Sequence, residues 1–371
     1  MNTSPLLDML GTSWDLAAPV VAATWDVQGG MVAFSLGDGH LAVVDAHWPG
    51  GPRMEARPGG GVALLPATAP APRPRRVACH PGSSLCIAAD SQSGFLSGGD
   101  DGSVVHVPRS GDPAVLARAD AWIDALDCSP AGMRAHGAGR RVYCVAVDWG
   151  EAIELPAPVT ALAFSPDGHS LAMAHSGGVT LWSDQAAPRL LGWRGYHRAL
   201  AWSPDGRYLV SGMQENALHG WRVADGGDME MGGYAGQPLS LSFAHDGRYL
   251  ATSGGTRPVC WGFDPPGAVN QPVECGIGSK TPVNCVACHP RQSLIATGYH
   301  NGAVLLCQPG SDEGLFIKGV GGGAVNALVW SGDGSRLAFG TQDGVCGWLE
   351  LPPALFRSRS EKRHVSKETT P

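Results

Sequence analysis

Apolar and polar residues alternate along this chain in short runs, and the same kind of turn breaks each run. "VTALAFSPDGHSLAMA" begins at Val159 and "LSLSFAHDGRYLATSG" at Leu239. Alternation with period two sends successive side chains to opposite faces of a strand, so each run predicts a β-strand and each pair of runs a hairpin. The turns are Phe164-Ser165-Pro166-Asp167-Gly168, Trp202-Ser203-Pro204-Asp205-Gly206, Phe243-Ala244-His245-Asp246-Gly247 and Trp330-Ser331-Gly332-Asp333-Gly334. Asp-Gly suits them because its residues tolerate the positive φ that twisted strand pairs require. A second turn follows the next strand at Asp38-Gly39, Asp101-Gly102, Asn301-Gly302 and Asp343-Gly344. A third strand then ends near Leu181-Trp182, Gly220-Trp221, Cys260-Trp261 and Gly347-Trp348. Almost nothing reads as a helix.

The last apolar residue before each first turn marks the period: Trp25, Ala89, Cys128, Phe164, Trp202, Phe243, Cys288 and Trp330. The spacings are 64, 39, 36, 38, 41, 45 and 42 residues. Six of the seven lie near the roughly 40–45 residues of a four-stranded propeller blade. The chain therefore predicts an all-β fold, a closed β-propeller of four-stranded antiparallel blades with eight repeat units, seven blades being the alternative. The long spacing contains "WPGGPRMEARPGGG" and "PATAPAPRPRR", too rich in Pro, Gly and Arg for strand interiors, so residues 47–78 read as an inserted loop. The last unit ends at Leu351-Pro352-Pro353 without a fourth strand, and the segment around Gly11–Leu16 is positioned to supply it. Closure matters because an open edge strand invites aggregation.

These residues resemble the WD40 repeat family over about residues 14–352. The Trp-Asp ending is replaced by Trp-Ser, Trp-Arg, Trp-Gly and Trp-Leu. In that family a histidine, a hydroxyl residue, a turn aspartate and the tryptophan form a buried network. Here the resemblance assigns part of such a network only to His80, Ser97 and Asp101, with Val107 near the tryptophan's place. Blade stability is then expected to rest mainly on apolar packing between sheets.

Composition narrows the class further. At 371 residues the chain suits one propeller, residues 1–352, followed by a basic, disordered tail at 353–371. Net charge is −7, and the tail after Pro353 carries +3, so the folded body is near −10. That sign is unfavourable for nucleic acid or an anionic membrane. The N-terminus has no basic leader or long apolar core, and no run approaches a membrane span. Ten cysteines scattered over strand positions read as reduced thiols, which together place a monomer in the cytoplasm.

Candidate chemistry is sparse. Cys285-Val286-Ala287-Cys288-His289 matches a c-type haem attachment pattern, but it overlies the "TALAFSP" strand of the fourth unit. Cys275, Cys285, Cys288 and His289, with His300 beyond, are near in sequence. A structural zinc site needs four converging ligands, and residues three apart on a strand point opposite ways. Gly276-Ile277-Gly278-Ser279-Lys280-Thr281 lacks the upstream glycine and following helix of a phosphate loop, so it reads as a surface connection. No G-x-S-x-G elbow occurs. The expectation is no cofactor, no resident metal and no catalysis.

What remains is a face. The segment Met213-Gln214-Glu215-Asn216-Ala217-Leu218-His219-Gly220-Trp221 is the most individual of the chain, since the fold needs a turn there but not the pair Gln214-Glu215. It also resembles a group of bacterial stand-alone WD40 proteins, with which an association with zinc-handling GTPases is connected. In WD40 propellers the turn between second and third strands lies on the top face. The equivalent turns hold Asp100, His175, Tyr299, His300 and Gln342, and the connections into first strands hold Trp122, Trp193, Tyr196 and Tyr234. Aromatic and hydrogen-bonding side chains on one exposed face suit protein docking. The expected protein-binding residues are Trp193, Tyr196, Gln214, Glu215, Tyr234, Tyr299, His300 and Gln342. The function expected is a non-catalytic scaffold for a protein partner, with a zinc-linked adaptor using a Cys/His site, or an enzyme of unrecognised type, as alternatives.

Overall fold

The computed structural model of the chain describes residues 5–57, 62–146, 149–263 and 271–352. Among them the secondary structure is one short helix, Leu6–Leu10, and a long succession of strands. A complete unit lays down four antiparallel strands in chain order, as in Val283–Cys288, Ile295–Tyr299, Val304–Cys307 and Leu315–Lys318. Second and third strands carry most of the core. Tyr208–Met213 and Val304–Cys307 are buried throughout, while the fourth strand Ala114–Arg118 is largely exposed.

The repeated Ser-x-Asp-Gly turn explains its own recurrence. Ser203 Oγ donates to Asp205 Oδ1 (2.6 Å), and the same carboxylate accepts the Arg207 amide (3.0 Å). Ser331 and Asp333 repeat the first contact at 2.6 Å. Only the glycine of each Asp-Gly pair is left-handed, with φ of 70° at Gly206 and 76° at Gly334. The aspartate stays outside that region and closes the turn by hydrogen bonding, which refines the sequence expectation. First strands share a second device not visible in sequence. Their ladder shifts register near its start, between Val159 and Ala161, His197 and Ala199, and Val325 and Ala327. Such bulges sharpen the local twist.

Packing between neighbouring sheets is apolar, as expected. Trp25, Val32, Phe34, Val44 and Trp348 share one buried cluster, and Met173, Phe164, Ile153 and Trp182 another. Several first-strand tryptophans also reach the preceding unit. Trp202 Nε1 donates to the Ala163 carbonyl (3.0 Å), and Trp330 Nε1 to that of Ala287 (3.0 Å). Trp25 Nε1 donates to the Val329 carbonyl (3.1 Å), joining first unit to last. The ring is also closed by hydrogen bonding. Gly11–Asp15 pairs antiparallel with Val345–Glu350 and completes the last four-stranded sheet, as the missing fourth strand required.

All eight sequence units are present, distributed over seven hydrogen-bonded sheets of the propeller. Six sheets have four strands and one has six. The six-stranded sheet holds the fourth and fifth units, because the 17-residue strand Ala186–Trp202 serves both. Its first part pairs with Val179–Ser183 and its last part with Leu209–Met213. In the fourth unit the strand Ser170–Ser183 reverses at Gly177 and Gly178, where His175 Nε2 meets Thr180 Oγ1 at 2.9 Å. By sheet the propeller has seven blades, the alternative count. The stretch read as a loop at 47–78 holds more order than expected. Arg53–Ala56 pairs with Val62–Leu65 as a separate ribbon, and Arg75–Ala78 is the fourth strand of the first unit. Arg75 and Arg76 tolerate that strand because their guanidinium groups bind carbonyls of Pro108 and Leu16. The tail at 353–371 lies outside the described residues.

Candidate functional site

The fifth unit draws four of the expected residues, Trp193, Tyr196, Gln214 and Glu215, into one corner. Asn216 takes φ of 55°, a left-handed conformation that asparagine tolerates better than most residues, and so allows the tight turn after Met213. The Gln214 amide donates to the Tyr196 carbonyl (3.0 Å). Glu215 returns the contact, its Oε1 accepting the Tyr196 amide at 3.0 Å. Glu215 is thereby held in place, while the side chains of Gln214 and Tyr196 stay exposed, the latter at 36%. Trp193 stands nine residues ahead of Trp202, as His80 stands nine ahead of Ala89. Its ring stacks on His219 with centroids 3.8 Å apart, and His219 meets Trp221 edge-on. Beside this stack lies a cavity of about 440 Å³, lined by Trp193, Arg194, Met213, Glu215, Glu230 and Met231 among others. Arg194, Glu230 and the two methionines were not among the expected residues. Of these only Met213 lay in the segment singled out in the sequence; Arg194, Glu230 and Met231 carried no such signal.

The remaining expected residues divide. His300 is exposed and lines a second cavity of about 450 Å³ with Gly236, Gln237, Ser253, Thr256 and Asn284. Gln342 is exposed on the matching turn of the last unit, its amide bonded to the Ala324 carbonyl (2.8 Å). Trp122 is 64% exposed on the connection into the third unit. Tyr299, in contrast, is 2% exposed and packs with Val283, Leu305 and Cys307. Burial pushes its hydroxyl up to about 12. Tyr234 is also built into its sheet, bonded to Thr252 Oγ1 (2.7 Å) and accepting from Trp261 Nε1 (2.6 Å). Neither tyrosine offers an exposed anchor, since both precede or end strands and turn inward. His175 is likewise buried.

Buried histidines mostly hold the fold. His80 Nε2 bonds Ser97 Oγ (2.9 Å) and its Nδ1 bonds Asp101 Oδ1 (2.9 Å), the partial network expected from the sequence. Ser103 joins it at 3.1 Å from the same nitrogen. His197 forms a comparable pair with Ser211 Oγ (2.6 Å), which the sequence reading missed because the histidine sits inside the strand and not ahead of it.

The cysteine and histidine cluster near residue 285 does not converge. Cys285 Sγ contacts the Val325 carbonyl (3.1 Å) in the eighth unit, whereas Cys288 Sγ contacts the Ser242 carbonyl (3.2 Å) in the sixth. The two therefore lie on opposite strand faces, as period two requires. His289 Nε2 bonds the Gly334 carbonyl at 3.0 Å. Among the described residues no three His, Cys, Asp or Glu side chains are grouped to hold a metal ion, and no helix is long and apolar enough to cross a membrane.

The sheets, the turn chemistry and the inter-sheet tryptophans define a β-propeller. The family model for the WD domain, G-beta repeat, matches residues 153–183, 194–222 and 271–307. Together with that architecture, these matches are consistent with the WD40-repeat propeller family. The matched segments fall in the fourth, fifth and seventh units, with their neighbours' fourth strands. Among solved structures, the computationally designed Ika8 protein is similar, with a TM-score of 0.69 and 16% identity over 91% of this chain and 98% of that one. That likeness concerns the fold. No curated protein matches the sequence.

Proposed function

We propose that this chain, as WD40 propellers generally do, acts as a protein-interaction scaffold: a non-catalytic cytoplasmic monomer, it holds a protein partner on the face formed by the turns between second and third strands and the connections into first strands. The observation that carries the reading is the corner of the fifth unit. It combines an exposed Tyr196 and Gln214, a Glu215 fixed by a backbone amide, and the cavity beside Trp193. Interfaces concentrate their energy in a few aromatic anchors seated in pockets. Trp193 forms one wall of such a pocket, and Tyr196 adjoins it. His300, Gln342 and Trp122 extend the face around the ring.

The Tyr196→Ala, Gln214→Ala double variant tests the reading by affinity capture from extracts of the source cell. The expected result is loss of a specifically captured protein with an unchanged melting temperature, because these exposed side chains contribute little to the core. Retention of the same partner at wild-type level would move the binding surface away from this face.

A further inference from the structure

The sixth unit contains a feature that docking does not use. Cys260 lies on the third strand, Val259–Gly262, and Cys275 follows the short fourth strand, Val273–Glu274. Cys260 is register partner to Val273, so Cys275 sits two residues along, diagonal to it. Their side chains turn to the same side, and the two sulfurs stand 3.3 Å apart. We propose that Cys260 and Cys275 are a redox-active dithiol, a modification site that a hydroperoxide converts to a disulfide.

The surroundings distinguish the two thiols. The Gly310 amide donates to Cys275 Sγ (3.2 Å). Arg257 binds the carbonyls of Cys275 and Gly276 (3.3 and 2.6 Å) and pairs with Asp312. Donation from Cys260, reinforced by the Gly310 amide and the Arg257 charge, holds the Cys275 thiol below its ordinary value. Cys260 is pushed the opposite way, by its contact with Cys275 and by burial. Cys275 is thus the nucleophile and Cys260 the resolving thiol. The other neighbouring thiols are engaged elsewhere, Cys288 on the Ser242 carbonyl and Cys307 near Thr297.

Both sulfurs are buried in the closed structure. They pack against the seventh unit, and access comes by local opening of the edge strand that leads into Cys275. Val273–Glu274 is two residues long, both exposed, and lies at the sheet's outer edge. Short edge elements with solvent-exposed hydrogen bonds open locally at low free energy. The Cys275 thiolate then attacks the peroxide: an S–O bond forms, the O–O bond breaks, and the leaving oxygen takes a proton. The Cys260 thiol displaces hydroxide from that sulfenic acid, so that S–S forms, S–O breaks, and water carries away the thiol proton. Two thiols lose two electrons and the peroxide gains them. The product pins the fourth strand to the third.

The test exposes the folded full-length protein to hydrogen peroxide at neutral pH, alkylates the remaining thiols after unfolding, and maps peptides by mass. Two of the 10 cysteines should be protected, linked as a Cys260–Cys275 peptide, and recovered by dithiothreitol. Cys260→Ser should accumulate a dimedone-reactive sulfenic acid at Cys275, at least tenfold above wild type. Cys275→Ser should lose peroxide sensitivity at the same dose. Ten alkylated cysteines at doses that oxidise free cysteine, or a disulfide joining either residue to Cys288 or Cys307, would overturn the proposal. So would a Cys275→Ser protein that consumes peroxide as fast as wild type. The wild-type map decides the matter even if a variant fails to fold.

Discussion

The imidazole of His219 is fully buried between the indoles of Trp193 and Trp221, and neither ring nitrogen has a hydrogen-bond partner among the described residues. Asp228 Oδ2 is 3.4 Å from Nε2 but out of line for a hydrogen bond. Burial therefore dominates and lowers the imidazole from 6.5 to about 4. A depressed histidine contributes stability that is complete above about pH 6.5 and lost as pH falls through about 4, because the unfolded chain binds the proton first. The contribution is on the order of 1–3 kcal/mol. His219→Phe keeps the stacking and removes the titration. Its unfolding free energy should fall less than that of wild type between pH 7 and pH 4.5, measured by urea titration. Equal falls would show that His219 does not carry the effect. At the tyrosines the contrast is spatial. Tyr299→Ala should cost about 3–5 kcal/mol by opening a cavity in a packed core, while Tyr196→Ala should stay within about 0.5 kcal/mol. Thermal melts of the two variants separate these outcomes.

Among elements, the N-terminal strand closes the ring by hydrogen bonding. Gly11–Asp15 supplies the edge of the last sheet, and Leu7 and Leu10 bury against the neighbouring core. Deleting residues 1–18 should lower stability by several kcal/mol or cause aggregation, since it exposes the edge of Val345–Glu350. A truncated protein that melts with the intact one would contradict this. This element was legible in sequence because the last unit visibly lacked a strand. The turns were legible too, since Ser-Pro-Asp-Gly is a local hydrogen-bonding unit that needs no tertiary partner. The bulges at the start of first strands were not, because they answer to the packing of adjacent sheets and leave no residue signature. The strand Arg75–Ala78 was hidden for a related reason: arginines stand where apolar residues are expected, satisfied by distant carbonyls. At the site, the exposed turn pair Gln214-Glu215 was readable, but not the hold of the Glu215 carboxylate on the Tyr196 amide. Whether an aromatic beside a turn points in or out was not readable either. Tyr299 ends a strand with every residue buried, and one step of register separates it from exposed His300.

At the scale of the molecule, the ring divides labour between packing and display. Tryptophans such as Trp182, 3% exposed and bonded to Glu151 Oε2 (3.1 Å), seal one sheet to the next. Trp182→Ala should cost about 3–5 kcal/mol and broaden or split the melting transition. The proposed function puts the partner's docking on the turns between second and third strands, that of the fifth unit above all. The most direct measurement of that claim is quantitative affinity capture, comparing wild type, the Tyr196→Ala, Gln214→Ala double variant, and His169→Ala on a turn between first and second strands. Loss of a buried anchor is worth about 2 kcal/mol, roughly 30-fold in affinity. The account predicts that the double variant loses a partner by about that factor while His169→Ala retains it, with all three proteins melting together. Retention by the double variant alongside loss by His169→Ala would contradict it and assign the interaction to the opposite face of the ring.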